Sequence, residues 1–128
     1  MLQVKTHLKG VEGKGIGLFA SERLPMGTVW HKDEQEFDKK YSRQWVEENK
    51  LTDFFHHYAT YEKESDTFYL CSDNARFVNH SEKPNTFYDA DKGHCVATND
   101  IEIGEEITCD YRNICNYDRD NGLSFEVR

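Results

Sequence analysis

"RFVNHSEKPN", residues Arg76 to Asn85, sets an aromatic and an aliphatic side chain directly before Asn, His and Ser, then recovers through Pro and Asn. Read residue by residue, Phe77 and Val78 close an apolar strand, and Asn79, Ser81, Pro84 and Asn85 all favour the turn that follows. A polar turn is the plain reading. It does not explain why Asn79 and His80, which carry donors and acceptors in fixed geometry, stand at the exit of an apolar strand, where a ligand's polar edge can be read.

On either side of this stretch the texture is of short strands. Before it come "LQVKTH", a glycine-rich run at Gly10, Gly13, Gly15 and Gly17, then "LFASE" and a stop at Pro25 to Gly27. After Glu64 come "TFYLCS", "TFYDA", "GHCVATND" and "EEITCDY", separated by turn clusters. From about Asp38 to Tyr61 the apolar residues Trp45, Val46, Phe54, Phe55 and Tyr58 sit among charges without strict alternation, which predicts one or two short helices, with Ser42 and Thr52 as caps. In "GEEITCDY" a turn at Gly104 leads into a strand with Ile107, Cys109 and Tyr111 on one face. In isolation a buried Tyr111 reads as core, its hydroxyl on a backbone partner. The polar tail, about residues 112–128, is ordered only where Leu123, Phe125 and Val127 find a surface. The expectation is a mainly β, single domain over 1–128 with a helical insert at about 38–61.

At 128 residues the chain is one domain's worth, and 37% hydrophobic, 31% charged and 13% aromatic residues describe a folded globular protein. A formal net charge of -8 with no basic patch argues against nucleic acid and favours a cationic partner such as a Lys-rich segment. No apolar run approaches a membrane span and the N-terminus lacks a signal-peptide core, so the expected location is cytoplasmic, with no membrane partner. Cys71, Cys95, Cys109 and Cys115 show no C-x-x-C spacing and are read as reduced thiols, with no metal expected.

Three motif readings fall away. Gly15 to Ala20 satisfies G-x-G-x-x-A, but Pro25 and Gly27 stop any helix that would receive a pyrophosphate; what survives is a loop whose backbone can approach a ligand closely. His56 and His57 are neighbours on a helix and point to different faces, so they do not chelate one ion. Ser81 and His80 are adjacent, which is poor geometry for a catalytic triad, and no nucleophile elbow is present.

Taken together, "GKGIGLFAS", "NARFVNHSEKPNT" and "GEEITCDY" resemble, in order and spacing, the SET-domain family of protein lysine methyltransferases, and "CSDNARFVNHSEKPNT" with "GEEITCDYR" is similar to its small stand-alone bacterial members. The resemblance implies a β-clip fold of several short curved sheets, in which the segment ending in "CDY" threads beneath a loop near "NHS" as a C-terminal pseudoknot. It implies that Lys14, Gly15, Ile16 and Gly17 run along S-adenosylmethionine, that Asn79 and His80 hold it, and that Tyr111 is the catalytic tyrosine.

The same resemblance makes Tyr88 a lysine-channel tyrosine that limits the number of methyl groups added, in place of the aromatic that many members keep where this chain has Cys109. Trp30 is a further channel candidate, because "VWHKDEQEF" replaces the family's usual early string. The zinc-binding cysteines that close the channel in many eukaryotic members are missing. Closure then falls to the tail around Tyr117 to Phe125, to a second subunit or to the substrate, and a protein this small has reason to form a homodimer. The implied partner is a lysine-containing protein. A non-catalytic module that binds a basic segment, and a methyltransferase acting on a small amine or a non-lysine side chain, stay open beside this reading.

Overall fold

The computed structural model describes residues 1–114. Strands β1 (Thr6–Val11) and β2 (Gly15–Ala20) form an antiparallel hairpin, with Val11 opposite Gly15 and Lys9 opposite Gly17. The turn closes within residues 12–14, with Lys14 N donating to Val11 O at 3.0 Å and Gly13 and Gly15 at φ of +77° and +80°, which favour glycine. The glycine run read as a loop is therefore mostly strand: Gly15, Ile16 and Gly17 are the first half of β2. Its second half dives inward, where Leu18 and Ala20 are wholly buried.

Two three-stranded sheets follow. β3 (Val29–Lys32), β9 (His94–Ala97) and β8 (Thr86–Asp89) pair antiparallel in the order β3-β9-β8. β4 (Lys39–Ser42), β6 (Thr67–Leu70) and β5 (Thr60–Glu62) pair in the order β4-β6-β5. Between β4 and β5 lie helices α1 (Arg43–Glu48) and α2 (Thr52–Tyr58). The Ser42 side chain caps α1, accepting from Trp45 N at 3.1 Å, whereas Thr52 is the first residue of α2 and Leu51 holds the cap position without a side-chain bond.

The helices bury Val46 and Phe55 against Tyr61 and Phe68, with Tyr41 edge-on to Phe55 at 5.0 Å. A second and larger core holds Leu18, Leu24, Trp30, Ala97, Ile101 and Ile107. Fully burying a side chain of this size contributes about 1.5–3 kcal/mol, so each cluster has its own reason to form.

The end of the described chain locks into the middle of it. β7 (Asn79–His80) and β10 (Thr108–Cys109) pair in parallel, Thr108 opposite Asn79 and Cys109 opposite His80. Against β2, Ala20 N donates to Glu105 O (3.0 Å) and Ile107 N to Leu18 O (2.8 Å). On the other flank, Asn85 Nδ2 donates to Glu106 O (2.8 Å), Thr108 N to Asn85 Oδ1 (2.9 Å), Thr86 Oγ1 to Thr108 O (2.7 Å) and Ser81 N to Cys109 O (2.9 Å). The segment is thus held between the hairpin and the "NHS" bend, and the fold is the pseudoknotted arrangement of small sheets with a helical insert.

Two sequence expectations are corrected. Phe77 and Val78 do not end a strand: Asn74–Phe77 is a turn of 3-10 helix. Asp73 imposes it, since one carboxylate oxygen accepts from Ala75 N at 3.0 Å while the other accepts from Leu2 N at 2.7 Å. The strand is the polar pair Asn79–His80 itself. Tyr111 does not continue the face of Ile107 and Cys109, because Asp110 accepts from Arg112 N at 3.0 Å and starts a short helix, α3 (Tyr111–Ile114). Cys71 and Cys95 are free thiols. The readings placed on Cys115 and on the tail from Tyr117 to Phe125 lie outside the described residues.

Asn85→Ala removes partners from Glu106 O and Thr108 N together. At about 1–3 kcal/mol for each buried group left unpaired, the expected loss is about 2–6 kcal/mol in chemical denaturation. A loss within error of wild type would contradict the role given to Asn85.

Candidate active site

The hairpin and the bend meet at Asn79. Its Nδ2 donates to Ile16 O at 3.2 Å and to Glu106 Oε2 at 2.8 Å, while Lys14 Nζ reaches His80 O at 3.0 Å. Gly17 is required by this contact: a Cβ there would lie 2.7 Å from Glu106 Oε2 and 3.1 Å from Asn79 Nδ2. Lys14, Gly15, Ile16, Gly17, Asn79 and His80 are therefore brought into one place. Glu106, which the sequence reading passed over inside "GEEITCDY", joins them as the acceptor that fixes the Asn79 amide.

Asn79 and His80 are buried, yet Asn79 Oδ1 and His80 Nε2 have no hydrogen-bond partner among the described residues. His80 Nδ1 accepts from Tyr111 N at 3.1 Å, so in the neutral ring the proton sits on Nε2. An acceptor and a donor thus stand unpaired at the bend, each costing about 1–3 kcal/mol when buried without a partner. A ligand with a polar, amino-acid-like end fits such a pair, and these residues fit S-adenosylmethionine on that ground.

Tyr111 links this bend to a cavity of about 410 Å³ between the helical insert and the main core. Its backbone is tied to His80, its ring packs edge-on to the imidazole at 5.4 Å, and the same ring lines the cavity. The hydroxyl donates to Val78 O at 2.7 Å. Tyr88 lines the cavity too; its hydroxyl donates to the carboxylate of Asp33, and its backbone N–H donates to Asn113 Oδ1 at 3.1 Å. Trp30 contributes a buried indole to the wall, with no partner for Nε1 among the described residues.

Cys109 does not line this cavity. It is buried. Tyr88 and Trp30 therefore stand with Tyr111, and Cys109 does not.

The cavity is a poor place for charge. Burial pushes the Cys71 thiol up to about 12, with the Asp38 carboxylate adding to it, and burial likewise raises Cys95. Burial and then the Asp33 hydrogen bond raise the Tyr88 hydroxyl, and burial and Asp38 raise Tyr69. All four stay neutral at pH 7. Beside them His31, Asp38 and Cys71 bring three donor atoms within 4.8 Å of one another, a set able to hold a divalent ion. The Asp38 carboxylate is already engaged there, accepting from Tyr69 Oη (2.5 Å), Ser72 N (3.1 Å) and Glu34 N (3.1 Å).

A family model described as SET domain matches residues 15–112. No curated protein matches the sequence. Among solved structures, a candidate histone methyltransferase from Plasmodium falciparum superposes with a TM-score of 0.60 at 19% identity, over 86% of this chain and 95% of that one. ctPRC2 in an autoinhibited conformation bound to S-adenosylmethionine gives 0.62 at 20% identity, over 88% of this chain and 16% of that one. An active polycomb repressive complex 2 in the basal state gives 0.63 at 20%, again over 88% of this chain and 16% of that one. At these identities the likeness is one of fold, and this chain spans about a sixth of the polycomb chains.

His31 gives the site a pH signature. Burial first, and the positive Met1 amino group second, hold its pKa below 6.5, so below that pH the unfolded chain takes up a proton that the folded one refuses. Stability is then retained above about pH 6.5 and falls as the pH drops toward the folded-state value, by up to about 1.4 kcal/mol per pH unit. His31→Gln is expected to flatten denaturation midpoints measured between pH 7 and pH 5. An unchanged slope would contradict a buried neutral His31.

Proposed function

The chain belongs to the SET-domain family, and we propose from that premise that it is a protein-lysine methyltransferase drawing its methyl group from S-adenosylmethionine. The observation that carries the proposal is the double attachment of Tyr111: its backbone is bonded to the His80 bend and its ring lines the cavity. A residue so placed can act between two ligands that approach from different pockets.

When bound, S-adenosylmethionine supplies a methyl group on a positively charged sulfur, activated toward displacement by an amine. Asn79 and His80 offer the acceptor and donor for its polar end, and the chain from Lys14 to Gly17 borders that position. The Tyr111 hydroxyl has spent its only proton on Val78 O, so toward any third group it acts as an acceptor. It can therefore receive a hydrogen bond from a substrate amine and aim the amine's lone pair. The Tyr88 hydroxyl has likewise spent its proton on Asp33 and is a second acceptor in the same cavity.

A lysine amine, with a free pKa of about 10.4, must lose a proton before it is nucleophilic. Withdrawal from water into an aromatic-walled cavity favours the neutral form. Two acceptors can also hold the two hydrogens of a neutral primary amine and resist replacing them by methyl groups, which supports mono-methylation.

An aromatic cavity bearing a carboxylate would also suit a module that merely binds a basic segment, and one experiment separates the two. The protein is incubated with labelled S-adenosylmethionine and either total histones or a cell extract, and transfer is followed for wild type and Tyr111→Phe. Transfer that falls about 100-fold or more in the variant, with cofactor binding kept in calorimetry, is the expected result. Cofactor binding without transfer in the wild type would leave the binding module. In the same assay Tyr88→Phe is expected to yield di- and tri-methylated product by mass spectrometry; an unchanged methylation state would remove Tyr88 from the channel.

A further inference from the structure

We propose that Asp33 is a positioning residue of the cavity: its carboxylate fixes the Tyr88 hydroxyl as an acceptor and supplies the counter-charge for an alkylammonium group entering from solvent. The part that names a lysine ammonium rests on the reading given above.

Asp33 follows β3 in "VWHKDEQEF", a stretch from which the sequence reading drew only Trp30. Its backbone N–H is anchored on Gly93 O at 2.8 Å, its carboxylate accepts from Tyr88, and it lines the cavity. It is only half-exposed, and among the described residues no Lys or Arg pairs with it. Arg76, the Lys or Arg side chain on the wall among the described residues, lays its guanidinium over Phe77 at 4.8 Å and donates to Asp73 O. Glu62, also on the wall, is engaged by Lys40 at 3.0 Å.

A half-buried carboxylate beside neutral tyrosines and thiols is a ready partner for an incoming cation. The surrounding wall also includes Trp30, Tyr58, Tyr69 and Tyr111, and the face of an aromatic ring attracts a cation. The two roles of Asp33 oppose each other in turnover. It attracts the ammonium form and so lowers KM, but it also favours the protonated amine over the neutral one that reacts. A variant without the charge should therefore bind substrate worse without losing kcat.

The probes are n-butylammonium, the end of a lysine side chain, and 1-butanol, its neutral counterpart, titrated into the full chain at pH 7 while the Tyr88 and Tyr111 ring signals are followed by NMR. The wild type is expected to respond to butylammonium at millimolar concentrations and about tenfold more weakly to butanol. Asp33→Asn, which keeps an oxygen for Tyr88, is expected to lose that discrimination while binding S-adenosylmethionine as before. With a methylated protein substrate, the same variant should raise KM about tenfold with kcat kept.

Equal response of the wild type to the two probes would overturn the proposal, whether or not the variant folds. So would discrimination that survives in folded Asp33→Asn, or an unchanged KM. Charge-selective binding with no methyl transfer to any protein would remove the methyltransferase reading and leave the role of Asp33. Transfer with charge-blind binding would do the reverse.

Discussion

The structure depends on one constraint: residues 105–109 run through the middle of the molecule, so their peptide groups must find partners on two sides at once. A buried backbone group without a partner costs about as much as a hydrogen bond is worth, and no neighbouring strand is long enough to serve the whole segment. Side chains complete what strands leave open. Asn85 serves Glu106 O and Thr108 N together, and Thr86 closes on Thr108 O. Because the strand pairing is only two residues long, it fixes a point of crossing. Three stretches that are distant in sequence meet there, and the candidate site is built on the meeting.

Around that crossing the chemistry is one of assigned hydrogen-bond roles. Glu106 holds the Asn79 amide nitrogen, so the orientation of the amide leaves its oxygen without a partner among the described residues. Tyr111 N–H holds His80 Nδ1 and thereby fixes the imidazole tautomer. Val78 O and Asp33 consume the hydroxyl protons of Tyr111 and Tyr88. Each contact removes one freedom from a side chain that could otherwise donate or accept. Among the described residues this leaves an acceptor and a donor at the bend, and makes acceptors of the two tyrosine hydroxyls.

The sequence was legible where a single local rule decides. Ser42 could be identified as a cap from its place before a charged, aromatic run, and the mainly β texture followed from short alternating segments between turn residues. It was misread where a distant group overrides the local one. "RFV" carries apolar residues at strand spacing, yet Asp73 turns Arg76 and Phe77 into 3-10 helix while bonding Leu2, some seventy residues away. Tyr111 has the spacing of a strand residue, yet Asp110 starts a helix under it. Cys109 is placed in the channel by resemblance to other sequences, and in the structure it is buried and is not among the residues that line the cavity. Asp33 and Glu106 had no local signal: each acquires its role only from a partner more than twenty residues away, Tyr88 or Asn79.

The central claim is spatial, that one tyrosine stands between the bend that holds a cofactor and the cavity that admits an amine. It is tested most directly by binding S-adenosylmethionine labelled with carbon-13 in its methyl group and recording nuclear Overhauser contacts from that methyl group. The account predicts cross-peaks to the ring protons of Tyr111. A bound cofactor whose methyl group contacts neither that ring nor any residue lining the cavity would contradict it.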